Sequence, residues 1–364
     1  MIIGIDASRY NNEEATGVEH YGRQIIDHML PLLKAKDEVI LYSRFTLEGR
    51  FKNAKNRVIY SKRFWTLKAL SKEIAINPPD ILFIPSHVLP LKLAKRSVIT
   101  VHDLAYRKFK NVYSFIQYNY LHWSTKMAVK KAAKIIVPSN VTKEDLIKIY
   151  KCPEEKIEVV HHGFTVPKNI KEEQVIEKSP VFDHFNPINE KYLLFVGRLE
   201  SKKNLVQLVE AFFVFSKKHP KIKLVLAGKR GVGFKKVLKK IQSKKLNDKI
   251  FMPGYVTEEE KAILYKNSEL FVFPSLYEGF GLPVLEAFYH RVPVACSNTA
   301  SLPEVAGKAA MFFSPEDSQE MADVLSKVTS DIEIKDLLIK KGEERLKKFS
   351  WEKAAKQTVK VLYG

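Results

Sequence analysis

The chain has 364 residues, of which 45% are hydrophobic, so it is long enough to bury the cores of two domains. Its first residues lack the basic start and long apolar run of a signal peptide, and no apolar run approaches the roughly 20 residues that span a bilayer. The two cysteines, Cys152 and Cys296, lie far apart and outside any zinc-type spacing, so we expect no disulfide framework and a cytoplasmic location.

The formal net charge of +20 is unevenly distributed along the chain. Residues 44–134 contain 19 lysines and arginines against 4 acidic residues, and residues 217–249 contain 13 against 1. Such clusters indicate an anionic partner: phosphate groups, a lipid surface or nucleic acid. For the second cluster a solvated helix face is an equal alternative, because its lysines fill the polar side of the amphipathic pattern FKKVLKKIQSKKL.

Short apolar segments alternate with helical patterns along the first half of the chain. Seven segments predict strands: MIIGIDA, EVILYS, RVIYS, DILFIPS, SVITVHD, KIIVPS and IEVVHHG. Helical patterns such as EHYGRQIIDHMLPLLK and NYLHWSTKMAVKKA separate several of them. Near-continuous apolar strands joined through helices predict a parallel sheet that is covered on both faces.

The alternation stops over residues 171–190, which are polar and rich in proline, and this segment predicts a linker. Six further strand-like segments follow: KYLLFVG, KIKLVLAG, KIFMPGY, ELFVFPS, VPVACSN and AAMFFSP. We therefore expect an α/β fold with two doubly wound, Rossmann-like domains facing across a cleft, at residues 1–170 and 191–349. Ligands of such sheets bind beyond the carboxyl ends of the strands, near helix N-termini.

A glycine-rich turn in SLYEGFGLPVLEAF, residues 275–288, lies between a predicted strand and a predicted helix. Gly279 and Gly281 let the backbone approach a ligand closely, and the first N–H groups of the helix point outward. Glu278 and Glu286 bracket this turn, and carboxylates accept hydrogen bonds from ribose or sugar hydroxyls. The segment predicts a pocket for a diphosphate or a sugar; a capped helix with two exposed acids is the alternative.

Three other strand ends carry candidate binding residues. Arg198 and Lys203 follow KYLLFVG, and two cations there can clamp a diphosphate and oppose the charge of a leaving phosphate; two surface cations are the alternative. Gly17 lies in a loop after the first strand that opens a helix, as phosphate-binding loops do, but has neither the dinucleotide nor the P-loop spacing; an ordinary β–α connection is the alternative. His102 and Asp103 end SVITVHD, where a structural histidine is an equal alternative. No Asp-x-Asp occurs, which argues against a metal-bridged nucleotide-sugar site.

Together these motifs resemble those of retaining glycosyltransferases with the GT-B fold, specifically glycosyltransferase family 4, the glycosyl transferases group 1 type. The resemblance covers essentially the whole chain and is most specific in FVGRLESKKNL, LVLAGK, SLYEGFGLPVLEAF and VPVACSNTASLPEVAGKAAMFFSP. The last residues, FSWEKAAKQTVKVLYG, resemble the family's terminal helix. This likeness implies that residues 350–364 pack back on the N-terminal domain.

The resemblance also implies roles for individual residues. Glu278 would lie near the donor sugar, Glu286 would hold the ribose hydroxyls, and His102 would face the donor sugar. The diphosphate would be bound by Arg198 and Lys203, and by Gly17 from the N-terminal domain. Further donor-binding positions are implied for the nucleobase and for the backbone amides of the turn: Lys229, Tyr255 and Val256, and Phe280, Gly281 and Leu282. The implied catalytic set is His102, Arg198, Lys203 and Glu278.

The implied reaction transfers a hexosyl group, mannosyl or glucosyl being favoured, from a nucleoside-diphosphate sugar to a glycan or glycolipid hydroxyl with retention. Double displacement needs a carboxylate nucleophile, and the N-terminal candidates offer no obvious one, Asp103 being a residue to test. The resemblance implies a front-face substitution. We expect no cofactor, no metal requirement and no nucleic-acid partner, since no recognition motif accompanies the charge. A GT-B epimerase or phosphorylase and a non-catalytic nucleotide-sugar-binding protein stay open as alternatives.

Cations and large apolar residues are interleaved between residues 44 and 134. The apolar members are Phe64, Trp65, Leu67 and Leu70 beside Lys62, Arg63, Lys68 and Lys72, and then Phe109, Tyr113, Phe115, Tyr118, Tyr120 and Trp123. Rings beside cations are typical of a segment that lies at a lipid interface. We therefore expect peripheral binding to the anionic inner face of the membrane and a lipid-linked acceptor; the alternative is that the rings fill the N-terminal core.

Overall fold

The computed structural model describes residues 1–10, 17–47, 51, 53–61, 63–165 and 170–364. The chain forms two compact units: unit 1 contains Met1–Gly163 and Phe349–Gly364, and unit 2 contains Phe164–Lys348. Lys62, one of the cations of the interleaved segment, lies outside the described residues. So do residues 11–16, which precede Gly17 in the sequence.

Unit 1 is built on a seven-stranded parallel sheet with the strand order β3-β2-β1-β4-β5-β6-β7. Its strands are β1 (Ile2–Asp6), β2 (Glu38–Ser43), β3 (Lys55–Val58), β4 (Ile81–Ile84), β5 (Arg96–Thr100), β6 (Lys134–Val137) and β7 (Ile157–Val159). Its α-helices are α1 (Gly17–Met29), α2 (Ser71–Ile76), α3 (Ala105–Lys108), α4 (Phe115–Lys131), α5 (Asn140–Tyr150) and, after unit 2 in the chain, α14 (Trp351–Tyr363).

Unit 2 has a six-stranded parallel sheet with the order β10-β9-β8-β11-β12-β13. Its strands are β8 (Tyr192–Val196), β9 (Lys223–Ala227), β10 (Ile250–Gly254), β11 (Leu270–Phe273), β12 (Val294–Ser297) and β13 (Ala310–Phe313). Its α-helices are α6 (Glu172–Lys178), α7 (Leu205–Lys218), α8 (Phe234–Ser243), α9 (Glu258–Lys266), α10 (Leu282–Tyr289), α11 (Leu302–Ala306), α12 (Ser318–Ser330) and α13 (Ile332–Leu346).

Both sheets confirm the predicted α/β fold with two Rossmann-like domains, because all thirteen predicted strands form and every strand pair is parallel. In unit 2 the strand order reverses beside β8, whose neighbours are β9 and β11. The loops after β8 and β11 therefore lie side by side at the carboxyl edge, where open sheets of this kind bind ligands. In unit 1 the corresponding reversal is beside β1.

The C-terminal helix α14 packs within unit 1. Trp351, Ala355 and Leu362 are buried in the same core cluster as residues of β1 and α1. The guanidinium of Arg96 donates to the Val361 and Leu362 carbonyls, each at 2.9 Å, and so satisfies acceptors that the end of a helix leaves open. Residues 349–364 therefore belong to unit 1, although they follow unit 2 in the chain.

Residues 171–190, which the sequence predicts to be a linker, instead form part of unit 2. Glu172 pairs with Lys266 of α9 at 2.6 Å. Phe182 and Phe185 are buried, and the Phe185 ring stacks on Phe251 at 4.7 Å between ring centroids. The polar composition and the two prolines of this segment hide its two buried phenylalanines, which is why the sequence pattern misleads.

Two of the large apolar residues that the sequence predicts to lie at a lipid interface are instead buried. Trp65 and Leu70 are buried in the core cluster of unit 1, because the turn of π-helix at Trp65–Leu70 directs both side chains inward. Trp65 also donates from its indole nitrogen to the Ile59 carbonyl at 2.8 Å. By contrast Phe115, Tyr120 and Trp123 of α4 are exposed.

We expect Gly228→Ala to destabilise unit 2 more than Gly254→Ala does. A Cβ at Gly228, where φ is +143°, would lie 2.0 Å from the Gly197 carbonyl oxygen, so the loop that precedes Arg198 would have to move. At Gly254, where φ is +84°, a Cβ would meet no described atom within 4 Å, so only the left-handed backbone costs, about 1–2 kcal/mol. Thermal unfolding of the two variants measures the difference; equal melting points would contradict the close approach of the two loops.

Candidate functional site

A buried ion pair joins the loops after β8 and β11 in unit 2. The Lys203 Nζ lies 2.5 Å from Glu278 Oε1, and both side chains are almost wholly buried. Lys203 ends a short 3₁₀ turn, and the same ammonium lies 5.0 Å from the centroid of the Phe273 ring, where the ring face attracts a cation. The structure therefore brings together two predicted residues that are 75 positions apart.

Arg198 lies at the start of the same loop and is far more accessible than Lys203. Its side chain is 64% exposed, and its Nε lies 3.9 Å from Glu200 Oε2. Glu200 also lies 3.5 Å from the Lys202 ammonium. A guanidinium held so loosely can turn toward an incoming phosphate at little cost, and its planar fork suits phosphate oxygens.

The glycine-rich turn after β11 is held by the loops on either side. The Ser301 hydroxyl, which is fully buried, lies 2.9 Å from the Glu278 carbonyl and 2.6 Å from that of Phe280. The backbone N–H of Leu276 donates to the Lys202 carbonyl at 2.9 Å. Gly281 has φ +116° at the N-cap of α10, a conformation that side chains oppose. The helix start is thus fixed in place before any ligand arrives.

The N-terminus of α10 faces the same strand ends. Pro283 lies in the first turn, where its missing N–H costs nothing. The positive end of the helix dipole favours an anion at this position. Phe280, Gly281 and Leu282 form this helix start, as the resemblance implies, and the first two are buried.

Glu286 lies on α10 and has two partners from α9. Its Oε1 lies 3.0 Å from the Lys261 ammonium, and the Tyr265 hydroxyl donates to its Oε2 at 3.1 Å. Burial alone would lower the pKa of Lys261, but the charges of Glu286 and Glu258 raise it above its usual range. Burial and Glu286 raise the pKa of Tyr265, so the phenol keeps its proton. Two lone-pair directions of the Glu286 carboxylate stay available for other donors.

The three residues implied for the nucleobase adjoin the ends of β9 and β10. The Lys229 ammonium lies 4.6 Å from the centroid of the Tyr255 ring. Tyr255 is 54% exposed, whereas Val256 is buried beneath it in the same loop. An exposed aromatic face beside a buried aliphatic side chain is a surface on which a base can stack.

In unit 1, His102 is buried directly beyond β5. Its Nε2 lies 3.1 Å from the Pro85 carbonyl, which can only accept, so this nitrogen carries the proton. Desolvation and the neighbouring His87 lower the pKa of His102 to about 4. His102 is thus a neutral imidazole at pH 7, and its Nδ1 carries the lone pair.

Gly17 is the first residue of α1 and is exposed. A Cβ built there would meet no described atom within 4 Å, and its φ is not in the left-handed region. Neither packing among the described residues nor backbone strain explains a glycine at this position. The resemblance implies close approach of a ligand to this backbone, for which a glycine would leave room.

Sequence reasoning missed the residues that hold this constellation in place. Lys261 and Tyr265 fix Glu286, Ser301 fixes the glycine-rich turn, and Glu200 lies beside Arg198. The spacing of Glu258 and Lys261 is a detectable helical pair, at i and i+3. Ser301 carries no such local pattern, because its contact depends on β12 lying next to β11.

Two family matches decide the classification. Residues 180–345 match the family described as "Glycosyl transferases group 1", and residues 31–166 match "Glycosyltransferase Family 4". The chain belongs to the GT-B glycosyltransferases. The first match contains the predicted candidates of unit 2 from Arg198 to Glu286, and the second contains His102 but begins after Gly17. The biochemical class of the chain is therefore transferase activity of this family.

Curated relatives of this glycosyltransferase include two bacterial mannosyltransferases. "O-antigen chain mannosyltransferase B" of Escherichia coli is 29% identical, over 76% of this chain and 72% of that protein. "O-antigen chain mannosyltransferase RfbU" of Salmonella typhimurium is 27% identical, over 74% of this chain and 70% of that protein.

Solved structures share the fold of this glycosyltransferase along its whole length. Sucrose-phosphate synthase of Thermosynechococcus elongatus superposes with a TM-score of 0.74 at 19% identity, covering 99% of this chain and 98% of that one. HepE of Anabaena, solved in complex with UDP-glucose, has a TM-score of 0.74 at 16% identity, covering 100% and 99%. Within the described ranges, every helix of this glycosyltransferase is too short or too polar to cross a bilayer.

We expect the stability of the protein to fall as the pH drops from about 6.5 toward 4. Burial lowers the pKa of His102, and of His87 and His162 near it, so the unfolded chain takes up protons that the folded chain does not. Each such histidine contributes at most about 1.4 kcal/mol per pH unit within this window. Asp103 opposes the shift of His102, and Arg9 adds to it.

His102→Asn removes one of these titrations, so the melting point of this variant should depend less steeply on pH between 6.5 and 5 than that of the wild type. Differential scanning calorimetry across this range provides the comparison. Parallel profiles for the two proteins would show that His102 is protonated equally in the folded and unfolded states.

Proposed function

We propose that this glycosyltransferase moves a hexosyl group from a nucleoside-diphosphate sugar to a hydroxyl of a glycan or glycolipid, with retention of the α configuration. One observation carries the proposal: accessible Arg198 and the buried Lys203–Glu278 pair adjoin the glycine-rich start of α10, at the reversal of strand order in unit 2. Two cations and a helix N-terminus at one strand edge suit a diphosphate.

Mannose is the donor sugar that we favour, and glucose is the second candidate. The two curated relatives named above are called mannosyltransferases, and each aligns with about three quarters of the chain. The Anabaena structure, with UDP-glucose, supports the second choice through the shared fold alone. Relatives that act on O-antigen chains support a cell-envelope glycan as the acceptor.

In the proposed front-face reaction, the bond from the anomeric carbon to the diphosphate oxygen breaks while the acceptor oxygen bonds to the same face. The acceptor proton passes to the leaving phosphate oxygen, so the products are a glycoside and a nucleoside diphosphate. Negative charge grows on that oxygen in the transition state, and Arg198 and Lys203 oppose it. Neutral His102 would accept a hydrogen bond from a donor-sugar hydroxyl through Nδ1.

The Lys203–Glu278 pair supports this route over a double displacement. A carboxylate nucleophile must attack the anomeric carbon, yet the Glu278 Oε1 already accepts from Lys203 at 2.5 Å. Glu278 is better suited to orient the ammonium and to accept from a sugar hydroxyl. The ammonium in turn lies ready for the phosphate.

A transfer assay with a panel of nucleotide sugars and glycan acceptors tests the proposal. We expect a glycoside product with the α configuration from one or more donors, in the presence of EDTA as well as in its absence. A product of inverted configuration, or a complete and metal-reversible loss in EDTA, would overturn the corresponding part of the mechanism. Binding without any product would favour the non-catalytic alternative.

Glu286→Ala should weaken binding of the nucleoside diphosphate by about ten- to a hundredfold, since charge-assisted hydrogen bonds to a ribose contribute about 1.5–3 kcal/mol. Glu258→Ala is the matched control, because Glu258 also pairs with Lys261 but its side chain is 58% exposed on the first turn of α9. Isothermal titration calorimetry compares the two variants. Equal affinities for both would show that Glu286 only neutralises Lys261.

Arg198→Ala should lower kcat/KM by about a hundredfold or more while leaving the melting point almost unchanged. Among the described residues, the exposed guanidinium pairs loosely with Glu200 alone, and Glu200 keeps Lys202 as a partner at 3.5 Å when the guanidinium is removed. Lys203→Ala is a less clean test, because it strands the buried Glu278 carboxylate and so destabilises unit 2.

The control for Arg198→Ala is Lys239→Ala. Lys239 is also an exposed cation of unit 2, but it lies on α8. Steady-state kinetics and thermal unfolding measure kcat/KM and the melting point of both variants. Loss of activity in proportion to loss of stability would assign Arg198 a structural role.

We further propose that unit 1 binds an anionic membrane surface through α4. Phe115 and Ile116 are 83% and 80% exposed, and Tyr120 and Trp123 continue the same apolar stripe one and two turns later. The range 44–134, which includes α4, carries 19 lysines and arginines against 4 acidic residues. Exposed rings beside cations support insertion at headgroup depth with charges on anionic lipid.

A double variant, Phe115→Ser with Ile116→Ser, should lose sedimentation with anionic vesicles at low salt. Tyr60→Ser serves as the control, because Tyr60 is equally exposed in unit 1, at 82%, but lies outside α4. Binding of the wild type should also weaken as salt rises. If the wild type does not sediment with anionic vesicles at low salt, the membrane proposal fails.

A further inference from the structure

The loop after β9, residues 228–233, is joined to the loop after β8 by backbone hydrogen bonds. The Leu199 N–H donates to the Lys229 carbonyl at 2.8 Å, and the Gly231 N–H donates to the Leu199 carbonyl at 2.9 Å. The Leu199 side chain is buried, which fixes this part of the backbone in unit 2. Arg198 therefore extends from a backbone that is held against the loop after β9.

The three glycines of this loop are required for different reasons. Gly228 and Gly233 have φ of +143° and +89°, a conformation that side chains oppose. Gly231 has a φ outside the left-handed region, so the backbone conformation does not require a glycine there. A Cβ at Gly231 would instead lie 2.8 Å from the Glu200 Cβ and 3.2 Å from both the Cγ and the Nε of Arg198. Non-bonded carbon atoms attract at roughly 3.5–4.0 Å, so these side chains would have to move.

We propose that Gly231 is a positioning residue for Arg198: its missing Cβ lets the aliphatic stem of Arg198 lie against the loop after β9. The inference rests on the proposed function for the role of Arg198 in binding the diphosphate. Gly231 acts through Arg198, so it is not itself a catalytic residue.

The difference in exposure between Glu200 and Arg198 decides which side chain moves. The Glu200 side chain is 12% exposed, whereas that of Arg198 is 64% exposed, and its Nε lies 3.9 Å from the Glu200 carboxylate. Buried Leu199 holds the backbone between them. The accessible Arg198 side chain is therefore the group that can yield, and a Cβ at Gly231 would displace its stem from the loop.

A stem that lies against the loop leaves the guanidinium fewer rotamers to lose when a phosphate binds. Arginine has many rotamers, and immobilising such a side chain opposes binding. The fork beyond Nε stays accessible and can still turn toward phosphate oxygens. A displaced stem would lose this preorganisation, so the diphosphate would bind more weakly. In the proposed function Arg198 binds the diphosphate and not the nucleoside, so nucleoside binding would not change.

A double-mutant cycle tests the proposal by calorimetry, with GDP and guanosine and with UDP and uridine as probes. We expect Gly231→Ala to weaken binding of the nucleoside diphosphate by about three- to tenfold and to leave nucleoside binding unchanged. In an Arg198→Ala background the same substitution should have no further effect. Val232→Ala is the matched control, since Val232 is the next residue of the loop and is 52% exposed.

A purely structural role of Gly231 predicts other results. An equal loss of affinity in the Arg198→Ala background, or a parallel loss of nucleoside binding, would show that Gly231 only maintains the fold of unit 2, and it would overturn the proposal. Affinity of Gly231→Ala equal to that of the wild type and of Val232→Ala would overturn it as well.

If the wild type binds neither nucleoside diphosphate, the proposed function fails, but the position of Arg198 can still be measured without a ligand. NMR relaxation of the Arg198 Nε–H, identified by the loss of its signal in Arg198→Lys, reports the mobility of the side chain. We expect Gly231→Ala to lower the order parameter of this group and Val232→Ala to leave it unchanged. Equal order parameters in the wild type and Gly231→Ala would contradict the positioning role.

Discussion

The ion pair between Lys203 and Glu278 is the interaction on which the site in unit 2 depends. It joins two loops that follow adjacent strands, β8 and β11, and it fixes the ammonium beside the glycine-rich turn. Desolvating two charges cancels most of their attraction, so a buried pair of this kind adds little to stability by itself. Its effect is positional: without Glu278 the ammonium would have other rotamers, and without Lys203 the turn would carry a buried carboxylate.

The two cations of the candidate site differ in their accessibility. Lys203 is buried and immobile, whereas Arg198 is exposed and held only at 3.9 Å by Glu200. In the proposed reaction, the buried Lys203 ammonium would need little reorganisation to reach the transition state. The exposed Arg198 guanidinium would turn to meet phosphate oxygens in more than one position. Glu286 is held more rigidly by Lys261 and Tyr265, which suits a group that orients a ribose.

The sequence alone predicts the strands, the two-domain α/β fold and the positions of the candidate residues that lie directly after strands. Strand-end residues such as Arg198 and Glu278 are predictable because parallel strands share one carboxyl edge, so position along the chain translates into position in space. Contacts between loops are not predictable in this way. Ser301 and Lys261 matter only through the order of the strands and helices, which no local pattern encodes, and Phe182 and Phe185 are hidden in a polar segment.

A crystal structure of the protein with a nucleoside diphosphate bound tests the proposed donor site most directly. We expect diphosphate oxygens within hydrogen-bond distance of the Arg198 guanidinium and the Lys203 ammonium, and ribose hydroxyls donating to Glu286. A nucleotide ordered elsewhere on unit 2, with Lys203 still paired to Glu278 and remote from any phosphate, would contradict it.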